Sequence, residues 1–194
     1  KGYGGIDMSH REMIPLDEAK RAIASVSRRV ALLHLSYAKA IIEELGEERG
    51  LEVIAKAIKD YGARIGEKTR REVMSLGLEP TPENFNAGES YRLPPFGMHD
   101  KIETVKVDNE QRVRTYGCIL AKVWQEYGEE RLGRLYCYMD VSKYMGYNPN
   151  YKQIHIKTIP DGHPYCELTI RPTTEEERRI FLRGKGKDWL SIDK

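Results

Sequence analysis

The chain has 194 residues, 32% charged and 40% hydrophobic, with a formal net charge of +2. That is enough for one domain with its own core, and it shows no dense basic stripe interleaved with aromatics, so a nucleic-acid-binding role is not expected. No run of about 18 apolar residues occurs, so no membrane span is expected. The three cysteines are odd in number and form no CxxC pair, which fits a reducing compartment, the cytoplasm, better than a disulfide framework.

In chain order, Lys1–Asp7 is Gly-rich and polar, lacks the apolar centre of a signal peptide, and reads as the start of a flexible arm over residues 1–14. A first helix is predicted from Pro15-Leu16-Asp17 to about Leu45, because proline and acids suit a helix N-terminus. Ile23, Val26, Val30, Leu33, Tyr37 and Ile41 recur at helical spacing and predict its core-facing stripe. His34 lies at the edge of that stripe, either as a core-facing histidine with a backbone partner or as a site residue. Gly46 ends the helix. A second is predicted from about Glu47 to Leu76 with a stripe of Leu51, Ile54, Ile58, Tyr61 and Ile65, making an antiparallel helical hairpin. Gly62 and Gly66 each cost this helix about 1 kcal/mol relative to alanine, so a close approach is expected there, a packed helix ahead of a ligand.

Residues 77–100 have no period and hold four prolines, which predicts either a lid or a surface wrap. A β-hairpin follows, Ile102–Val107 and Gln111–Gly117 around Asp108-Asn109-Glu110. Cys118 marks the hand-over to a short helix, Ile119–Tyr127. A further helix is predicted over Glu129–Met145. On it Cys137, Asp140, Tyr144 and, where the phase persists, Asn148 share an arc of about 80°. They form either a pocket wall or a solvated face with a stray cysteine. Two strands, Tyr151–Ile159 and Tyr165–Arg171, are joined by Pro160-Asp161-Gly162-His163-Pro164. Alternation puts Cys166, Leu168 and Ile170 on the inward face of the second strand. The last stretch, 173–194, reads as a charged extension with a short helix near Thr174–Leu182 and a solvated tail in which Trp189 docks. The predicted whole is one α+β domain over 15–172, an N-terminal helical hairpin packed on an antiparallel sheet with additional helices.

All three cysteines fall between residues 118 and 166, and two chemistries compete for them. Cys118, Cys137, Cys166 and His163 could form a Cys₃His set for zinc or iron, although only His163 and Cys166 are closely spaced. A nucleophilic thiol instead needs a lowered pKa. Cys118 is placed for that at a helix N-terminus, and Cys137 has Asp140 one turn on but needs His163 or His155 between them. No GxGxxG, P-loop, HExxH or GxSxG motif is present.

Tyr37-Ala38-Lys39, Glu44-Leu45-Gly46-Glu47-Glu48, Gly117-Cys118 with Trp124, Leu135-Tyr136-Cys137-Tyr138-Met139-Asp140, Gly146-Tyr147-Asn148-Pro149 and Asp161-Gly162-His163-Pro164-Tyr165-Cys166 follow one another in an order that resembles the L-2-amino-thiazoline-4-carboxylic acid hydrolase family, over residues 18 to 171. The closing hairpin is also similar to that of 4-vinyl reductase domains. The first resemblance implies a hydrolase that adds water to a cyclic amidine and opens a thiazoline to a carbamoyl-cysteine, with no cofactor required. It makes Cys137, as nucleophile or ligand, Asp140, as proton carrier, Cys118 and His163 the catalytic candidates, and Tyr144, Asn148, Arg114, Cys166 and His34 the substrate-binding ones, with Arg114 placed by its position before Cys118 to meet a carboxylate. The second implies the alternative, a non-catalytic sensor or carrier for a small ligand or metal. The expected partner is a small molecule, and the charged helix faces are compatible with a homodimer.

Overall fold

The computed structural model describes residues 13–91 and 96–194. Residues 1–12 of the arm predicted over 1–14, and residues 92–95 of the long connection, lie outside the described residues. The order is α1 (Leu16–Leu45), α2 (Glu47–Ser75), β1 (Lys101–Val107), β2 (Glu110–Tyr116), α3 (Ile119–Glu126), α4 (Glu130–Cys137), α5 (Met139–Tyr147), β3 (Tyr151–Lys157), β4 (Cys166–Pro172) and α6 (Glu175–Arg183). The architecture is α+β: a long helical hairpin, then an antiparallel four-stranded sheet of order β1-β2-β4-β3 with further helices. No helix among the described residues is long and apolar enough to cross a membrane.

Gly46, at φ 75°, makes the bend between α1 and α2 that an L side chain resists. The β1–β2 turn is tighter than predicted. Asp108 and Asn109 both take positive φ, 49° and 64°, and Glu110 already belongs to β2, as in the two-residue turns that match strand twist.

The packing face of α1 differs from the expected one. Ser27, Ala31, Leu35 and Ala38 are buried, whereas Ile23, Val26, Leu33 and Tyr37 are 39%, 55%, 57% and 65% exposed. The reason is backbone proximity: small residues let α1 pack against α2, α3 and α4, and of the expected stripe Ile41 packs against the core while Ile23, Val26, Leu33 and Tyr37 are left facing outward. On α2 the buried positions are Gly50, Ile54, Ala55, Ile58, Gly62, Gly66, Thr69 and Val73, with Tyr61 exposed. Gly62 and Gly66 serve a packed helix, as the sequence predicts. A Cβ at 62 would lie 2.5 Å from the Met139 carbonyl oxygen, and one at 66 would lie 2.0 Å from that of Lys143. From the facing side Gly146 admits the backbone of Ala63, where a Cβ would meet the carbonyl oxygen at 2.6 Å. The interlock seats α5 against α2 at backbone-to-backbone distance.

The single helix predicted over Glu129–Met145 is two, α4 and α5, meeting at Tyr138. Tyr138 keeps right-handed dihedrals (φ −60°, ψ −12°), so the helical phase carries through the break. The sheet faces follow the predicted alternation. Cys166 and Leu168 join the core, opposite Thr115 and Val113 on β2. On the other face Glu167, almost wholly buried, is gripped by Arg112 and Arg114, and Glu110 binds Arg112 and Arg171.

The segment after β4 is not a solvated tail. Thr174 caps α6 reciprocally with Glu177, and the chain then returns to the core, where Trp189 and Ile192 are buried. Trp189 meets the Tyr138 ring edge-on at 6.2 Å, and Lys152 donates to the Ile192 carbonyl oxygen at 3.0 Å.

Candidate active site

The α2–α5 interlock fixes the helix that carries Asp140 and Lys143. Three residues apart, they sit on one side of α5, and Lys143 Nζ donates to Asp140 Oδ1 at 2.6 Å. From β3, His155 brings Nε2 to 3.5 Å from Asp140 Oδ2. The other ring nitrogen, Nδ1, lies 3.1 Å from both carboxylate oxygens of Asp193, and Asp193 Oδ1 also accepts the His155 backbone N–H at 2.7 Å. Arg134, on α4, closes the line by donating Nη2 to Asp193 Oδ2 at 2.6 Å. The result is a chain of alternating charge from Arg134 through Asp193, His155 and Asp140 to Lys143. Its middle is shut from solvent, with Asp193 0% and His155 3% exposed, while Asp140 keeps 24% of its side-chain surface accessible.

The electrostatics follow from these contacts. Burial works against the Asp140 carboxylate, but Lys143 and His155 outweigh it and hold its pKa well below the carboxylate range. Lys143 is likewise penalised by burial, and Asp140 reverses the balance and raises its pKa. His155 is a contest of the same kind: burial disfavours the imidazolium, yet contacts with Asp140 and Asp193 leave its pKa above the ordinary 6.5. The site therefore offers a fixed anion on Asp140 beside an imidazole whose charged form the two carboxylates favour.

The three thiols surround this line. Cys118 is the N-cap residue of α3, Cys137 ends α4, and Cys166 opens β4 with its Sγ accepting the Ile159 N–H at 3.4 Å. All three are free, and their mutual electrostatic influence reaches Asp140 as well. Burial is the largest influence on each and raises every thiol pKa. At Cys118 the facing N–H groups of Ala121 and Leu120 pull the other way but are outweighed. The Arg134 cation pulls Cys137 and Cys166 down, but burial outweighs it at both, so none of the three thiols is held as a thiolate. Thiol titration of the native protein at pH 7 is expected to be slow at all three positions, its rate still rising beyond pH 9. One rapidly labelled cysteine at pH 7 would overturn that.

The remaining sequence-predicted site residues scatter. His163 is exposed on the β3–β4 connection, where the Thr158–Asp161 turn and Gly162 at φ 89° project it outward, so it joins neither the thiols nor Asp140. The Cys₃His set is accordingly not assembled. Among the described residues no group of three His, Cys, Asp or Glu side chains is placed to hold a metal ion. Arg114 is on the far face of the sheet, its Nε 2.6 Å from Glu167 and its guanidinium over the Tyr165 ring. Asn148 is spent on structure, its Nδ2 donating to the Pro80 carbonyl oxygen at 2.8 Å and its Oδ1 accepting the Asn150 N–H. His34 has the backbone partner of its blander reading. Its Nε2 lies 2.9 Å from the Leu132 carbonyl oxygen, and the ring packs edge-on to Trp124 and Tyr136. Tyr144 stacks on Phe85 at 4.5 Å, near Lys143, and burial pushes its hydroxyl up to about 12.

Four members of the charge line are new relative to the sequence candidates or changed in rank. Lys143 had a readable signal, its three-residue offset from Asp140 on a predicted helix. His155 appeared only as an alternative partner for a thiol. Arg134 and Asp193 had no local signal. Arg134 also carries an unspent donor, since its Nη1 is buried without a hydrogen-bond partner among the described residues, beside Cys137.

No curated protein and no solved structure matches the chain. The family model for L-2-amino-thiazoline-4-carboxylic acid hydrolase matches residues 26–170, which is most of the chain and contains Asp140, Lys143, His155, Arg134 and the three cysteines. The protein belongs to the L-2-amino-thiazoline-4-carboxylic acid hydrolase family.

Proposed function

We propose that the protein hydrolyses a small cyclic amidine of the 2-amino-thiazoline-4-carboxylate type, with Asp140 as the anion that grips the substrate and His155 as the base. The observation carrying this reading is an ionised, partly accessible carboxylate beside an imidazole whose far nitrogen is bound to a buried second carboxylate. A carboxylate held this far below its usual range is a weak proton acceptor, so the proton-carrier role expected for Asp140 passes to His155. Asp140 suits a different task. A protonated amidine is a planar cation with two N–H groups, and a fixed carboxylate binds such a group strongly.

Neutral His155 takes a proton from water through Nε2 as the water oxygen bonds to the ring carbon between sulfur and nitrogen. The imidazolium then gives that proton to the departing ring sulfur or nitrogen. The second water proton is released to solvent as the new carbonyl forms, and the product is a carbamoyl-cysteine. Water plus substrate accounts for every atom, and no oxidant or cofactor enters. In place of Arg114, Arg134 is the cation assigned to the substrate carboxylate, through the unspent Nη1.

The test is the pH dependence of kcat/KM on 2-amino-thiazoline-4-carboxylate. Because His155 must be neutral, and its pKa lies above 6.5, activity is expected to rise with pH through an apparent pKa above that value. An optimum on the acid side, falling as pH rises through neutrality, would contradict the base assignment. The stability linkage has the opposite sense. The folded pKa of His155 is raised, so its contribution is fully present below the unfolded value of 6.5 and is lost as pH climbs through the folded one.

A further inference from the structure

We propose that Asp193 is a positioning residue for His155, fixing the tautomer of the ring and aiming Nε2 at Asp140, so that the site is complete only with the C-terminal segment docked. This rests on the reading of His155 as the base. The family match ends at residue 170, so it assigns nothing to Asp193.

Docking the segment needs no buried carboxylate of its own. Trp189 and Ile192 already supply the apolar anchor, and Lys152 binds two carbonyl oxygens of the segment, those of Ile192 and Lys194. Burying a carboxylate as well is costly unless every oxygen is matched. The contacts of Asp193 converge on one task. Its Oδ1 accepts the His155 backbone N–H at 2.7 Å, both oxygens lie 3.1 Å from Nδ1, and Oδ2 takes Arg134 Nη2 at 2.6 Å. Holding backbone and ring together fixes the rotamer of His155. Both ring nitrogens face a carboxylate, Nδ1 at 3.1 Å from both oxygens of Asp193 and Nε2 at 3.5 Å from Asp140, so the nearer contact makes Nδ1 the donor and leaves Nε2 of the neutral ring as the acceptor that a general base requires. Arg134 neutralises the carboxylate, which keeps the unit affordable inside the protein. The charged and titratable groups facing His155 are Asp140 from α5 and Asp193 from the C-terminal segment, with Lys143 and Arg134 one contact further out.

The experiment is nitrogen-detected NMR of the full chain labelled at histidine, with His155 identified by the signal lost in His155→Gln. In the wild type the neutral ring is expected to carry its proton on Nδ1. In Asp193→Asn, which keeps the shape and an acceptor for the backbone N–H, the His155 pKa is expected to fall. The acid limb of the rate profile should shift to lower pH with it, and kcat should drop by about ten- to a hundredfold with KM nearly unchanged. A neutral wild-type ring protonated on Nε2 overturns the proposal, and that measurement needs no variant to fold. An unmoved His155 titration in Asp193→Asn overturns it too. Should the NMR changes occur while the wild type leaves the thiazoline intact, the hydrolase reading falls and the positioning role stands.

Discussion

Asp140→Asn is expected to lower kcat/KM on the thiazoline by thirty- to several-thousand-fold, while the protein still folds. Asparagine keeps the shape of the side chain but removes the charge that the substrate cation meets. Truncating one partner of a desolvated charge pair costs about 2–5 kcal/mol, and each 1.36 kcal/mol is about tenfold. Two side effects follow from the same contacts. Lys143 loses its counter-charge, so its ammonium becomes easier to deprotonate and the fold weakens by about 1–3 kcal/mol. His155 loses one of the two anions that raise its pKa, so any residual activity should have its acid limb at lower pH. Circular dichroism and thermal melting separate these effects from unfolding. Retention of most of the activity in a folded variant would remove Asp140 from the site.

The second large effect concerns stability. Gly66→Ala is expected to cost about 3 kcal/mol, or about 10 °C in melting temperature for a chain of this size. In an exposed helix the same change would gain about 1 kcal/mol from helix propensity. Here the added methyl would lie 2.0 Å from the carbonyl oxygen of Lys143 and 2.6 Å from the backbone nitrogen of Tyr147. Both are backbone atoms of α5 and cannot swing aside, so α2 and α5 must separate. Because α5 carries Asp140 and Lys143, the variant should lose turnover along with stability. An equally stable Gly66→Ala protein would show that the helices are not in backbone contact.

What the sequence revealed of the fold was mostly local. The α1–α2 hairpin was legible from helical spacing broken at Gly46, and the glycine pair in α2 carried its own message, since two costly residues one turn apart need a close neighbour. The face of α1 was not legible. Apolar residues lie nearly all round its middle, and the choice fell to which neighbours could come closest, a tertiary decision that favoured Ala31 and Ala38 over Leu33 and Tyr37. The site divides the same way. The arc of Cys137, Asp140 and Tyr144 was visible because Tyr138 preserves the right-handed backbone across the break between α4 and α5. His163 was overvalued because it neighbours Cys166 in sequence, whereas the turn at Gly162 sends it to solvent. His155 instead faces the interior by strand alternation, opposite Leu168. Asp193 could not be found locally at all, since its partner lies 38 positions away in sequence.

The measurement that bears most directly on the central claim is incubation of the purified protein with 2-amino-thiazoline-4-carboxylate in heavy-oxygen water, with mass spectrometry of the products. Hydrolysis at the ring carbon predicts a carbamoyl-cysteine with one heavy oxygen in its carbonyl group, formed by the wild type and nearly absent with Asp140→Asn. Unchanged thiazoline with the folded wild-type protein, or turnover undiminished in the Asp140 variant, would contradict the account.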